Sequence, residues 1–117
     1  METVRGFFES TAPSRLEPSL LPDDVVVVFH IDGPGGGSWQ VRSHEGGSAE
    51  VGPVATGPKD CTVTCSEGAF LDILSGAVSP QRAFLSGRVK VWGDVGLVLR
   101  LAGLLGPRSH GATAPEL

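Results

Sequence analysis

Cys61 and Cys65 stand four positions apart in Asp60-Cys-Thr-Val-Thr-Cys-Ser66, a pairing that raises the question of redox or metal chemistry. The segment alternates like a strand, and at ~3.3 Å per residue the two Cα atoms fall ~13 Å apart. A disulfide closes only below ~7 Å, so the pair reads as two small strand residues. His30, His44 and His110 keep no ligand spacing to the cysteines or to one another, and no metal site is expected. His30 lies inside an apolar run and is expected as a core histidine with one satisfied hydrogen bond, while His44 and His110 are expected in solvent. Gly33-Pro-Gly-Gly-Gly37 is dense enough in glycine for a phosphate loop. Yet Ser38 stands where a dinucleotide fingerprint needs a third glycine, the loop runs into a strand rather than a helix, and no Gly-Lys pair exists. No serine sits in Gly-x-Ser-x-Gly, and the neighbouring carboxylates Asp23 and Asp24 read as a solvated strand edge. No catalytic set and no cofactor is expected.

The elements that position these residues follow from periodicity. Val4, Phe7 and Phe8 share one face of a helix over Glu2 to Ser10 that Pro13 is expected to end, and Leu16, Leu20 and Leu21 suggest a short helical turn before Pro22. Val25 to Ile31 is a β-branched run apolar on both faces, which suits a central strand. The glycine turn then leads into a strand carrying Trp39 and Val41, forming a hairpin. Ala49 to Val51 is a short third strand, Gly52 to Pro58 a connection, and Asp60 to Cys65 a fourth strand. Ser66 is placed to cap a helix bearing Phe70, Leu71 and Leu74 that stops at Gly76. Ser79-Pro80 starts a shorter one with Ala83, Phe84 and Leu85. Gly87 to Trp92 alternates as a fifth strand, and Asp94 caps a last helix running to about Leu105, where Gly106-Pro107 ends it. The order predicts an α+β layer in which helices cover one face of a five-stranded mixed sheet. One domain is expected over residues 1–107, with 108–117 as a flexible tail.

The chain has 117 residues, of which 17 are Gly and 9 are Pro, so its elements must be short. Nine basic residues against 13 acidic give a net charge of -4, and the basic ones are scattered. A nucleic-acid surface needs a basic stripe, so no nucleic acid is expected. Met1 to Ser10 lacks the apolar stretch of a signal peptide, and uncharged apolar runs such as Val95 to Leu99 are far below the ~20 residues that span a bilayer. A cytoplasmic protein is expected, with at most transient membrane contact.

The last helix is unusual. Its apolar residues fall at 95, 97, 98, 99, 101, 102, 104 and 105, all round the axis, with Arg100 the one plainly polar side chain. An ordinary surface helix exposes a polar face. At ~17 Å this one is too short to cross a membrane, so it needs something apolar on both sides: the sheet on one, and a partner, the N-terminal helix or a hydrophobic ligand on the other.

Ala83-Phe-Leu-Ser-Gly-Arg-Val-Lys-Val-Trp-Gly-Asp94 resembles the signature of the sterol carrier protein family, an Ala-Phe-Met-Ser-Gly-Lys-Leu-Lys-Ile-x-Gly-Asp type stretch ahead of the last helix. Leu85 replaces Met, Arg88 replaces Lys and Val89 replaces Leu. The resemblance extends through Asp60 to Ser66, the Phe70 to Gly76 helix, Pro80 and the hairpin with Trp39, covering about Val25 to Leu105. It implies helices enclosing a hydrophobic tunnel for sterols, fatty acyl chains or phospholipids. On that basis the expected lining is Phe70, Leu74, Phe84, Leu97, Leu101 and Leu105, with Phe7 and Phe8 as a lid and Arg100 at a ligand head group. Such a protein binds or transfers a hydrophobic small molecule as a monomer or homodimer. An enzyme or enzyme accessory acting on a hydrophobic intermediate, with His30, Asp60, Cys61 or Cys65 facing the cavity, is the alternative. A scaffold domain is a third. Chain end Ala114-Pro-Glu-Leu117 departs from the Ser-Lys-Leu type address of peroxisomal members, so peroxisomal import is not expected. The lack of Asn and Tyr points to a high-GC bacterial source, and with it to a fatty acyl, polyketide or terpenoid ligand rather than a sterol.

Overall fold

A computed structural model describes residues 3–15, 21–46 and 48–105, with side chains over 3–13, 21–46 and 48–101. The expected turn at Leu16 and Leu20, the tail at 108–117, His110 and the side chain of Leu105 lie outside the described residues. Five strands form one sheet in the order β3-β2-β1-β4-β5. They are β1 (Val26–Asp32), β2 (Gly37–Ser43), β3 (Ala49–Gly52), β4 (Cys61–Ser66) and β5 (Val89–Gly93). β1 pairs antiparallel with β2 and parallel with β4, so the run read as apolar on both faces does occupy the centre of a mixed sheet. The parallel neighbours need a crossover. Residues 53–60 supply it across the outer face, where the Ala55 N–H donates to Gln40 Oε1 at 3.2 Å.

The inner face carries Val27, Phe29 and Ile31 of β1, Trp39 and Val41 of β2, Cys61, Val63 and Cys65 of β4, and Val89 of β5, all buried. Helices cover this face. α1 is a helical segment over residues 4–15, α2 is Glu67–Ser75, α3 is Pro80–Leu85 and α4 is Val95–Leu105. The caps are those the sequence indicates. Ser66 Oγ accepts from Ala69 N–H at 3.1 Å, Ser79 Oγ from Arg82 N–H at 3.1 Å and Asp94 Oδ1 from Gly96 N–H at 3.0 Å. Gly76 ends α2 with φ +87°, a conformation that glycine reaches without a Cβ penalty.

α1 differs from expectation. Thr3 caps it, and it continues past Pro13 to Arg15 instead of stopping before the proline. Phe7–Thr11 is a π-helical turn in which Ala12 N–H reaches back five residues to Phe7 carbonyl. The ladder has already widened when the proline arrives, so its missing donor and its ring are accommodated rather than breaking the helix.

Candidate functional site

α1 and the three later helices divide the inner face between them. Over β1, β2 and β3 it is filled by aromatic rings. Phe8 stacks on Trp39 at 4.6 Å and 12° and on Phe70 at 5.3 Å and 19°, and Phe7 meets both Phe8 and Phe70 edge-on at 5.2 and 5.5 Å. Over β4 and β5 it is hollow. A cavity of about 230 Å³ lies between Val63, Cys65, Val89 and Val91 of the sheet and Phe70 and Ile73 of α2, with α3 and α4 closing it through Pro80, Phe84, Val95 and Val98. Phe29 contributes the central-strand wall. Three of its large apolar lining residues are open to solvent: Phe84 at 39%, Leu99 at 57% and Leu85 at 82% relative exposure, which marks the mouth. Gln81 is the one amide side chain in the lining, and it is exposed.

The sequence-predicted residues separate. Phe70 and Phe84 line the cavity. Phe7 and Phe8 are 1% exposed and belong to the packed aromatic half, a filling rather than a movable lid. Leu97 and Leu101 are buried in the core, Leu74 packs against it half-buried, and none of the three lines the hollow. Arg100 is exposed on α4 outside the lining. Among the lining residues the sequence reading missed are Val95, Val98 and Leu99 on α4, Val89 and Val91 on β5, and Ile73 beside Phe70 on α2. A helix apolar all round has no visible phase, so composition could not say which of its faces meets the sheet. The alternation of β5 did hold the signal for its two valines.

The chemistry-bearing side chains lie elsewhere or are muted. Half-buried His30 points to the outer face, its Nδ1 2.7 Å from Ser38 Oγ, so it is not a core histidine; the strand's two faces are both apolar and alternation could not assign it. His44 pairs with Glu50 at 2.6 Å. Asp60 Oδ2 accepts from Val26 N–H at 2.8 Å. Cys61 is buried at the β5 pairing, and only Cys65 of the four enzyme candidates lines the cavity. Both thiols are free. Burial, then the Asp32 carboxylate, pushes Cys65 up to about 11, so it is held as a thiol and is a poor nucleophile at neutral pH. Burial, then Asp94, does the same for Cys61, also to about 11. The glycine loop is occupied by the protein's own carboxylate. Gly35 N–H donates to Glu67 Oε1 at 3.1 Å, and a Cβ on Gly35 would fall 2.2 Å from Glu67 Oε2. The glycines thus allow close approach to the start of α2. Among the described residues no cluster of His, Cys, Asp or Glu could hold a metal, and no helix is long and apolar enough to cross a membrane.

A five-stranded mixed sheet with its helices on one face, hollow at one end and apolar inside, defines an α+β domain built around an internal space for hydrophobic matter. The model of the SCP-2 sterol transfer family matches residues 17–106, and the chain belongs to that family. It is 37% identical over 75 residues to sterol carrier protein 2 of Homo sapiens, an alignment covering 62% of this chain and 14% of that one. It is also 28% identical over 101 residues to hydroxysteroid dehydrogenase-like protein 2 of Xenopus laevis, covering 85% and 24%. The chain thus corresponds to a small part of these longer relatives. The same fold occurs in palmitated SCP2L2 of Aedes aegypti, with a TM-score of 0.70 at 21% identity over 94% of this chain and 100% of that one.

Proposed function

We propose that this domain binds and carries a hydrophobic small molecule, a fatty acyl, sterol-like, polyketide or terpenoid ligand, in the cavity between β4, β5 and the three later helices, without catalysing a reaction on it. The observation that carries the reading is a cavity of about 230 Å³ whose lining is hydrocarbon except for one thiol and one amide at the mouth. At ~0.8 kcal/mol per buried methylene, each ligand carbon that enters it strengthens binding about fourfold, so hydrocarbon contact alone can hold a guest. Gln81 is the group placed to meet a polar ligand end. The enzyme alternative is the weaker reading, because the one candidate nucleophile in the lining, Cys65, is protonated and has no base beside it among the lining residues. In this reading the protein works in the cytoplasm as a monomer or homodimer and meets membranes only transiently. Native mass spectrometry of gently purified protein, together with displacement of a fluorescent fatty acid, tests it. Saturable one-to-one displacement by acyl ligands is expected, and no bound species and no displacement by acyl or sterol ligands would overturn the reading.

A further inference from the structure

β5 is the last strand of the sheet and has a neighbour on one side only. Its free side follows from the register. Asp94 N–H donates to the Asp60 carbonyl at 3.0 Å, and Trp92 and Lys90 stand opposite Thr62 and Thr64 further along the same ladder. Bonded and unbonded pairs alternate between antiparallel strands, so Lys90 and Trp92 direct their backbone groups to β4, while those of Val89, Val91 and Gly93 point away from it. The opposite edge is not open in this way: β3 is flanked by α1 and runs into Pro53.

The side chains along the free edge are unmatched as well. Lys90 and Trp92 are exposed on the outer face, and among the described residues neither side chain has an ion pair, hydrogen bond or ring contact within its own chain. On the helical face Leu85 and Leu99 stand exposed at the cavity mouth, which they line together with Val89 and Val91. An open edge strand bordered by exposed apolar side chains is a template for another strand.

We propose that β5 pairs antiparallel with β5 of a second copy of this chain, about a two-fold axis at Val91, joining the two sheets into one. Bonding and charge select this register. With Val91 opposite itself, the two copies exchange backbone bonds at Val91, Val89 meets Gly93, and each Lys90 lies opposite the second copy's Trp92, a cation against an aromatic ring. Arg88 falls opposite Asp94, so the ends of the pairing also carry opposite charges. Centring on Lys90 instead sets two ammonium groups against each other, and centring on Trp92 leaves Val89 opposite Val95, which is already helical. A lysine on an edge strand ordinarily discourages pairing. Here it rejects the register in which it faces itself and favours the one in which it faces a ring. Because the axis is normal to the sheet, the helices of both copies lie on one side, and their Leu85 and Leu99 patches approach across the seam. The inference is independent of what the cavity holds.

The test is sedimentation velocity on the full chain from micromolar to millimolar concentration, with hydrogen exchange followed over the same range. A concentration-dependent dimer is expected, with exchange of the Val91 amide slowing as it forms. Trp92→Lys, at an exposed position outside the cavity lining, sets lysine opposite lysine and is expected to weaken the dimer by about tenfold or more. Adding Lys90→Trp to that variant swaps the two residues, restores the cation and ring in the same register, and is expected to recover most of the affinity. Circular dichroism confirms that each variant folds, and the exchange measurement on the unmodified protein carries the test if one does not. A monomer throughout the range overturns the proposal, as does a dimer whose Val91 amide exchanges unchanged or one that Trp92→Lys leaves equally strong. A swap that recovers nothing overturns the register. A monomer that binds phosphatidylglycerol vesicles through Trp92 overturns the second copy in favour of a lipid surface.

Discussion

Val98→Phe separates a ligand cavity from ordinary core. Val98 is half-buried on α4 and faces the hollow. Phenylalanine adds four carbons there, in room that a ligand would otherwise fill. Four methylene-sized sites lost to the ligand, at ~0.8 kcal/mol apiece, amount to ~3 kcal/mol, or roughly 200-fold weaker binding. The protein itself responds in the opposite direction. Where a void exists, added hydrocarbon gains burial without compressing a neighbour, so thermal stability is expected to stay within about 1 kcal/mol of the original or to rise. Fatty-acid displacement and a thermal melt on the same sample read both quantities. Unchanged affinity in a folded variant refutes the placement of the ligand. A loss of 2 kcal/mol or more refutes the hollow, because overpacking of a filled core would then be the cause.

The two thiols predict a dependence on pH. Folded pKa values of about 11 lie above the ordinary thiol value, so the stability they contribute is complete below about pH 9 and is lost as pH rises to about 11. The melting temperature is expected to fall over that window, and alkylation of the native thiols at pH 8 to be at least roughly 100-fold slower than in urea; native alkylation as fast as in urea would refute the assignment. Gly93→Ala is expected to cost about 2 kcal/mol or more in urea unfolding, because Gly93 has φ +101° and a Cβ there would stand 2.5 Å from the Asp60 carbonyl oxygen. A neutral result would show that β5 shifts freely against β4.

The strands and later helices were legible because each carries its own punctuation: Ser66 and Ser79 at caps, Gly76 at a stop, alternation along β4 and β5. The order of those elements predicted the fold class, and the resemblance of residues 83–94 added the expectation of a hydrophobic space beneath the helices. What local pattern could not supply was orientation in three dimensions. Phe7 and Phe8, on the apolar face of the N-terminal helix, were expected as a lid because the resemblance implied a cavity for them to cover. The π-helical turn instead feeds both into the core, where Trp39 of β2 and Phe70 of α2 receive them. Leu97 and Leu101 against Val95, Val98 and Leu99 is the same problem in α4. Eight of its eleven residues are apolar, on every side of the axis, and only packing on the sheet fixes the rotation. His30 shows it in β1, where both faces are apolar and its outward direction is set by register with Ser38.

The division of the inner face into a ring-filled half and a hollow half also means that the molecule is not equally firm throughout. Backbone amides of β1, β2 and β4 are paired on both sides and lie beneath packed side chains, so they are expected to exchange only through the largest openings of the domain. Those of α3 and α4 lie over a gap and border the exposed Leu85 and Leu99. Fewer buried contacts hold them, so they exchange through smaller, cheaper openings. A guest in the gap supplies the missing contacts and slows exchange on that side alone. Under the carrier reading, a bound molecule would serve as the last segment of the core, supplied from outside the chain to the part of the structure that its own packing leaves least firm.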